Sequence, residues 1–434
     1  MAAEQMGIRE NTKIQEIGMK TAFAVEVAKI LMHKDRFTKA PGRMKIGFEM
    51  EASLIDEIGQ PVTEQVRDAI RETVPSADPE LGAAQIEWRT DPIELNADGG
   101  LRQLVDQAVS RDAQMRDAAA SHGAKVLRLG TQPLIAVSEV ERTNKQKYKE
   151  VPDFHNRKRT RTNTAIGPNN ERVDLNDASV VALLNSLQCN LEAESLEDAV
   201  DLTNRSLMIG PLMVALSGNA RFLEGKDTTF NDVRATAWET SHDTRTEAER
   251  HAGKGLRIGL PVDYFSDMKD YFKRVGSHPF ILNDAKNALR IGIGLFWQDT
   301  RIKIIGDSAV VEFRPVSIQP SVQEDIAVML FYLGRLEWSK MTNEKLMPIE
   351  EVRERRAMAM MIGISPFLNE LPDELEKAFA TLEHRGLAHD ELLPFFDILK
   401  QRVIDGQTPA DVFAGRVHSF RGEREDAIKN AIGI

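Results

Sequence analysis

Carboxylates set inside apolar, strand-like runs are the residues of this chain best placed to do chemistry. In Gly47-Phe48-Glu49-Met50-Glu51 two glutamates stand two residues apart. On a strand they share a face, about 6.5–7 Å apart along the chain. Two anions facing the same way repel unless cations lie between them or water covers them. The pattern therefore fits a solvated sheet face or a hard divalent cation such as Mg2+, whose oxygen shell substrate phosphates can complete. Glu87 in QIEWRT and Glu312 in VVEFR repeat the motif of a carboxylate within an apolar strand. Arg314 shares a face with Glu312, either as a structural ion pair or as a guanidinium whose fork of donors meets a transferring phosphoryl group. Gln188 and Asn190 in LLNSLQCNL form a third same-face polar pair, and Cys189 between them turns the other way, as core. Arg234 and Trp238, four apart, sit side by side on a helix, where a surface cation–π pair is the plain reading. The basic run RKRTR at 157–161 reads first as a solvated loop and second as a phosphate binder. No aromatic residues interleave it, as a single-stranded nucleic-acid groove would need.

Common signatures of other chemistries fail. The nearest approach to a phosphate-binding GxxxxGK[ST] loop, Gly218 to Gly225-Lys226, has six intervening residues and then Asp227 where a hydroxyl belongs. Gly292-Ile293-Gly294 continues into LFW rather than completing a dinucleotide fingerprint. HExxH, CxxC pairs, GxSxG and EF-hand loops do not occur, and His242 and His251 lack ligand-like neighbours in sequence.

The elements that must position these residues follow from periodicity. Residues 12–36 have helical apolar spacing, and Met44–Leu54 alternates as a strand that turns at Asp56–Gly59. A short helix is expected over Gln65–Val74, a strand over Ala84–Thr90, a long helix over Leu101–His122 and a strand over Lys125–Leu129. The basic stretch 155–163 is expected to be irregular. Ala182–Leu191 reads as a strand, and Val310–Arg314 as another, closed by Pro315. Ser195 with Asp198, and Ser321 with Glu324, are helix-start signals, for helices running to about Leu216 and Trp338. From there to the end the pattern is mostly helical. With no Ser/Gly linker, the chain is expected to be one catalytic unit over 1–434, with an N-terminal helix in 1–40 and a helical region at 340–434.

Composition sets the class. Of 434 residues, 67 are acidic and 56 basic, for a net charge of −11, and 42% are hydrophobic. That is ordinary for a globular protein, and the acidic balance argues against a general nucleic-acid or membrane-surface binder. The longest uncharged runs, Ser206–Ala220 and Ala357–Asn369, are too short to span a bilayer. The N-terminus has no apolar signal core, and a single cysteine excludes an intrachain disulfide. The expectation is a cytoplasmic protein.

Taken in order, GFEMEASL, QIEWRT, LQCNLEAESLEDA, PLMVALSGNARFLEGKDTTFNDVRATAW and WQDTRIKIIGDSAVVEFRPVSIQP resemble glutamate–cysteine ligases, closest to the plant-type group and the bacterial carboxylate–amine ligases. The resemblance covers about residues 44–340, with its best block at 187–238. It implies an α+β, glutamine synthetase-like fold: a curved, mainly antiparallel sheet with the site on its concave face and helices behind. It also implies Mg2+ or Mn2+, ATP as co-substrate, and small-molecule partners only, namely ATP, L-glutamate and an amine acceptor. The γ-carboxylate of glutamate is phosphorylated, and the amine of cysteine attacks the acyl phosphate. Residue by residue, Glu49, Glu51, Glu87, Gln188 and Glu312 match metal-binding positions, and Arg314 a phosphate-contacting arginine. Arg234, Trp238 and Asn190 match substrate-binding positions. Residues 239–290 depart most from the family pattern, which leaves open an acceptor other than cysteine, or another carboxylate donor. A homo-oligomer is compatible with the helical tail. A guanidino phosphotransferase would need a reactive cysteine in the site, and a silent nucleotide-binding paralogue would be expected to have lost the carboxylates.

Overall fold

Alternation along strand β1 (Lys45–Ile55) separates two faces, and the rest of the fold is arranged around that division. Ile46, Phe48, Met50, Ala52 and Leu54 are all within 1% of full burial, whereas Glu49 and Glu51 on the other face are only partly covered. The computed structural model describes residues 2–160, 164–167 and 171–434. The end of the basic stretch, 161–163, lies outside the described residues.

The main sheet has eight strands: β1, β2 (Ala77–Pro79), β3 (Gln85–Arg89), β4 (Ile93–Glu94), β5 (Lys125–Leu127), β6 (Ser186–Glu192), β7 (Thr300–Ile305) and β8 (Ser308–Ser317). Its spatial order is β7-β8-β6-β1-β3-β2, with β4 and β5 pairing the two ends of β1, and every pairing is antiparallel. Since side chains alternate with period two, this register stacks one row of polar residues on the concave face and one row of apolar residues behind. Behind lie helices α1 (Leu196–Ser217) and α2 (Val322–Met341), rich in apolar residues and buried over most of their length. Both start at the serines the sequence singled out. Ser195 Oγ accepts from Asp198 N at 3.0 Å, and Ser321 Oγ accepts from Glu324 N at 3.3 Å. The tail is helical to Ala431, and no described helix is long and apolar enough to cross a membrane. The expected α+β architecture, with a curved antiparallel sheet backed by helices, is the one observed.

Several boundaries differ from expectation. The N-terminal helix spans Ala2–Met32, and a 3-10 turn at Lys34–Phe37 follows it. Residues Ala178–Leu183 form a 3-10 helix, so the strand there begins only at Ser186; a short apolar run does not distinguish the two states. The start of the basic stretch is the end of a helix over Gln146–Lys158 whose buried face carries Tyr148, Val151 and His155. Pro315 does not close its strand. It sits in a bulge where the register jumps from Phe313↔Cys189 to Val316↔Leu187, so two residues of β8 face Gln188 alone. A proline has no N–H to pair, and the bulge removes the need for one.

Behind the bulge Phe313 stacks on Tyr332 of α2, with centroids 4.0 Å apart, and the Tyr332 hydroxyl hydrogen-bonds Ser206 Oγ at 2.8 Å. Replacing Phe313 by Ala opens a cavity at the sheet–helix interface and is expected to cost about 3–5 kcal/mol of unfolding free energy. Denaturant titration checks this, and a loss below about 1 kcal/mol would show that this contact does not fix the sheet on its helices.

Candidate active site

The concave face floors a cleft of about 1580 Å3. Its walls come from segment 75–92, which includes β2 and β3, and from the helices at Gln146–Lys158, Arg234–His242 and Ala288–Gly294. Register places the polar floor. Glu51 faces Glu87 across β1/β3, Glu49 faces Gln188 across β1/β6, and Asn190 and Arg301 flank Glu312 from β6 and β7.

At one end Glu51, Glu80 and Glu87 each offer an oxygen within 4.8 Å of the others. Burial, followed by its carboxylate neighbours, pushes Glu87 well above the ordinary carboxylate range, and burial followed by the Glu51 charge pushes Glu80 up to about 7. Burial also raises Glu51, although Arg314 and the Ser186 hydrogen bonds oppose it. Among the described residues the only cation within 4.0 Å of Glu87 is that of Arg89, at 3.6 Å. Three oxygen donors gathered without a matching cation suit a hard divalent ion. Glu51 is itself fixed: it accepts from Ser186 N at 2.7 Å and from Gln188 Nε2 at 2.8 Å.

At the other end the charges reverse. Glu312 is held by Arg301, by Lys303 at 2.7 Å and by Arg314 at 2.7 Å. Burial alone would raise Glu312, but the three cations together hold its carboxyl well below the usual range. Lys303 also reaches Glu49 at 3.3 Å, and Asn190 Nδ2 donates to Glu49 at 3.0 Å. Arg314 Nη1 donates to Gln188 Oε1 at 2.6 Å. A continuous relay, Lys303–Glu312–Arg314–Gln188–Glu51, thus joins the cationic end to the carboxylate cluster. Two anions, Glu312 and Glu49, among three cations still leave a net positive row, which suits phosphate oxygens.

The third wall is aromatic. Trp238, His242 and Trp297 line the cleft, with Trp238 and Trp297 centroids 6.0 Å apart and His155 packed against His242, ring centroids 4.3 Å apart. Burial drives His155 down to about 3 and His242 well below its ordinary value, so both imidazoles are neutral at pH 7. The expected Arg234–Trp238 pairing is replaced: the guanidinium over the Trp238 ring is that of Arg314, 5.8 Å from the centroid. Arg234 instead turns inward and donates to the Arg314 carbonyl at 2.9 Å, because the bulge presents that oxygen to it. Arg234 Nε and Trp238 Nε1 are buried without hydrogen-bond partners among the described residues.

Glu49, Glu51, Glu87, Gln188, Asn190, Glu312, Arg314 and Trp238 therefore share the cleft, with Arg234 directly beneath it. Cys189 is fully buried on the opposite face. The sequence reading missed Glu80, Arg301, Lys303, His155, His242 and Trp297. The two cations were within reach, since TRIKII alternates them onto one face, but Glu80 lies in a loop with no period to expose it.

The family model for glutamate–cysteine ligase family 2 matches residues 45–430. A Rubrobacter xylanophilus protein assigned as glutamate–cysteine ligase 2-3 is 25% identical over 238 residues, 50% of this chain and 57% of that one. The chain thus aligns with little more than half the length of that relative. Among solved structures, the glutamate–cysteine ligase of Francisella tularensis in complex with AMP has a TM-score of 0.53 at 11% identity, covering 91% of this chain and 89% of that one. The bifunctional glutathione synthetase of Pasteurella multocida has a TM-score of 0.59 at 11% identity, covering 97% of this chain and 53% of its own. At such identities the likeness is one of fold.

Proposed function

The chain belongs to glutamate–cysteine ligase family 2, and on that premise we propose that it joins the γ-carboxylate of L-glutamate to the amine of L-cysteine at the expense of ATP. The γ-carboxylate attacks the γ-phosphorus of ATP, giving γ-glutamyl phosphate and ADP. The amine then attacks the acyl carbon, phosphate leaves with the bridging oxygen, and the amine loses a proton.

The observation that carries this reading is the pairing of three clustered carboxylates with a net-cationic row in one cleft. Glu51, Glu80 and Glu87 would hold Mg2+ or Mn2+, with Glu49 and Gln188 beside them. The bound ion would neutralise phosphate oxygens and polarise the transferring group. Arg301, Lys303 and Arg314 bind the triphosphate, and Glu312 holds those three cations in place between reactions. Arg314 stabilises charge on the transferring phosphoryl group, and its bonds to Glu312 and Gln188 pre-set its direction. Trp238, Asn190 and the buried Arg234 orient the amino-acid substrate. No protein nucleophile is used, and positioning supplies most of the rest. The broad aromatic wall of Trp238, His242 and Trp297 favours a second reading of the acceptor alone: the same chemistry with an amine bulkier than cysteine.

Purified protein with ATP, Mg2+ and L-glutamate is expected to release ADP only when an amine is added, and with cysteine to yield a product of γ-glutamylcysteine mass. Turnover with other amines but not cysteine would keep the chemistry and change the acceptor. Silence across a panel of amines in folded protein would overturn the reading.

A further inference from the structure

The aromatic wall of the cleft holds a polar atom whose protonation follows from its neighbours. Ser241 is fully buried, and its hydroxyl meets the Trp238 carbonyl at 3.1 Å and His242 Nδ1 at 2.8 Å. A hydroxyl has one hydrogen and a carbonyl only accepts, so Ser241 donates to Trp238 and accepts from Nδ1–H. His242 is therefore the Nδ1–H tautomer, and its Nε2 carries a bare lone pair. Nε2 has no hydrogen-bond partner among the described residues. Unlike Nε2 of the adjoining His155, it is not sealed from the cleft that His242 lines.

The surroundings of that lone pair are aromatic and positively biased. The His242 ring lies 5.7 Å from Trp297 and 6.4 Å from Trp238, centroid to centroid. Arg257, whose carbonyl accepts from Trp297 N at 2.7 Å, is 5% exposed. Its guanidinium donates to the Pro279 carbonyl at 2.8 Å and pairs with no carboxylate among the described residues. Burial, His155 and Arg257 together keep the His242 imidazole neutral. The same uncompensated charge opposes a cation brought to this wall by a ligand.

We propose that His242 selects the acceptor by its side chain: Nε2 takes a hydrogen bond from a neutral donor, and the thiol of cysteine is the donor that fits. The inference rests on the ligase reading above and deepens it. A thiol is a weak donor whose polarisable sulfur packs well against indole rings. A hydroxyl in its place gives up more hydration on entering the wall, and an ammonium is opposed by Arg257. The wall adjoins the phosphoryl-binding row, since Arg314 lies over the Trp238 ring. His242 thus touches the acceptor away from its amine and moves no proton.

Two measurements on the full chain test this, one of them independent of turnover. In protein carrying 15N-labelled histidine, with Mg2+–ADP and L-glutamate present, His242 is expected to show the Nδ1–H pattern. L-Cysteine is expected to move its Nε2 signal, and L-2-aminobutyrate, the same shape with methyl for thiol, to leave it in place. In turnover, wild type is expected to prefer cysteine to 2-aminobutyrate by about tenfold in kcat/KM, the worth of one hydrogen bond and a sulfur–aromatic contact. His242→Phe is expected to bring that ratio to about one, and His242→Gln, which keeps an acceptor near the Nε2 position, to restore most of it. Ser241 keeps the Trp238 carbonyl in both variants, so neither leaves a buried hydroxyl unpaired. The wild-type spectrum decides the matter if a variant fails to fold. A purely structural role would slow both amines alike and leave the ratio at its wild-type value. That result, a protonated Nε2 at pH 7, or an Nε2 signal indifferent to cysteine would overturn the proposal. A signal that moves with cysteine in protein that makes no product would support this assignment and count against the ligase reading.

Discussion

Glu87→Gln is expected to lose about 10^3-fold in kcat while making the metal-free protein more stable. The two effects come from one cause. Glu87 is buried beside Glu51 and Glu80, and in the absence of a divalent ion its charge is opposed by burial and by both neighbours. An uncharged amide of the same shape removes that repulsion, a gain of about 1 kcal/mol or more. It also removes an anionic oxygen from the set proposed to hold the metal, whose charge stabilisation is worth several kcal/mol in the transition state. The expected signature is a raised melting temperature without Mg2+, together with a smaller upward shift when Mg2+ is added. A melting temperature that falls in metal-free buffer, or a kcat within tenfold of wild type, would contradict the assignment. Activity bought at the expense of stability is the usual bargain at such sites.

Arg314→Lys is expected to lose 10^2–10^3-fold in kcat with the fold intact. Arg314 is the middle link of the relay: one end of its guanidinium meets both Glu312 and Gln188, and Gln188 in turn holds Glu51. A lysine keeps the charge but is a single point that cannot serve both partners in a fixed plane. Glu312 retains Arg301 and Lys303, so no buried carboxylate is left uncompensated and the variant folds. The loss is therefore of transition-state stabilisation, of the size seen when one oriented donor is removed. Unchanged circular dichroism with a collapsed kcat is the expected pair of results. A tenfold loss or less would mean that the charge alone suffices, and that the relay does not organise the site.

Much of the floor of the cleft was legible because a strand shows its faces directly. Glu49 with Glu51, Gln188 with Asn190, and Glu312 with Arg314 are all pairs two residues apart, and all lie on the concave face. The caps at Ser195 and Ser321 were legible for a similar reason, since an N-cap is a local arrangement of adjacent residues. What escaped the sequence depends on distance through space. Glu80 enters the carboxylate cluster through a loop, held by Thr143 from more than sixty residues away. The partner of Trp238 changed because the bulge at Pro315 carries Arg314 over the ring, and no pattern in chain order encodes that displacement. His242 looked solitary because its neighbour His155 comes from a separate helix.

The central claim is that glutamate is activated as an acyl phosphate in this cleft. L-Glutamate labelled with 18O in both γ-carboxylate oxygens tests it directly, with the inorganic phosphate of the complete reaction analysed by mass spectrometry. The account predicts one 18O atom in each phosphate released, carried over when the carbon–oxygen bond of the acyl phosphate breaks. Phosphate released without label, while the amide product still forms, would contradict it.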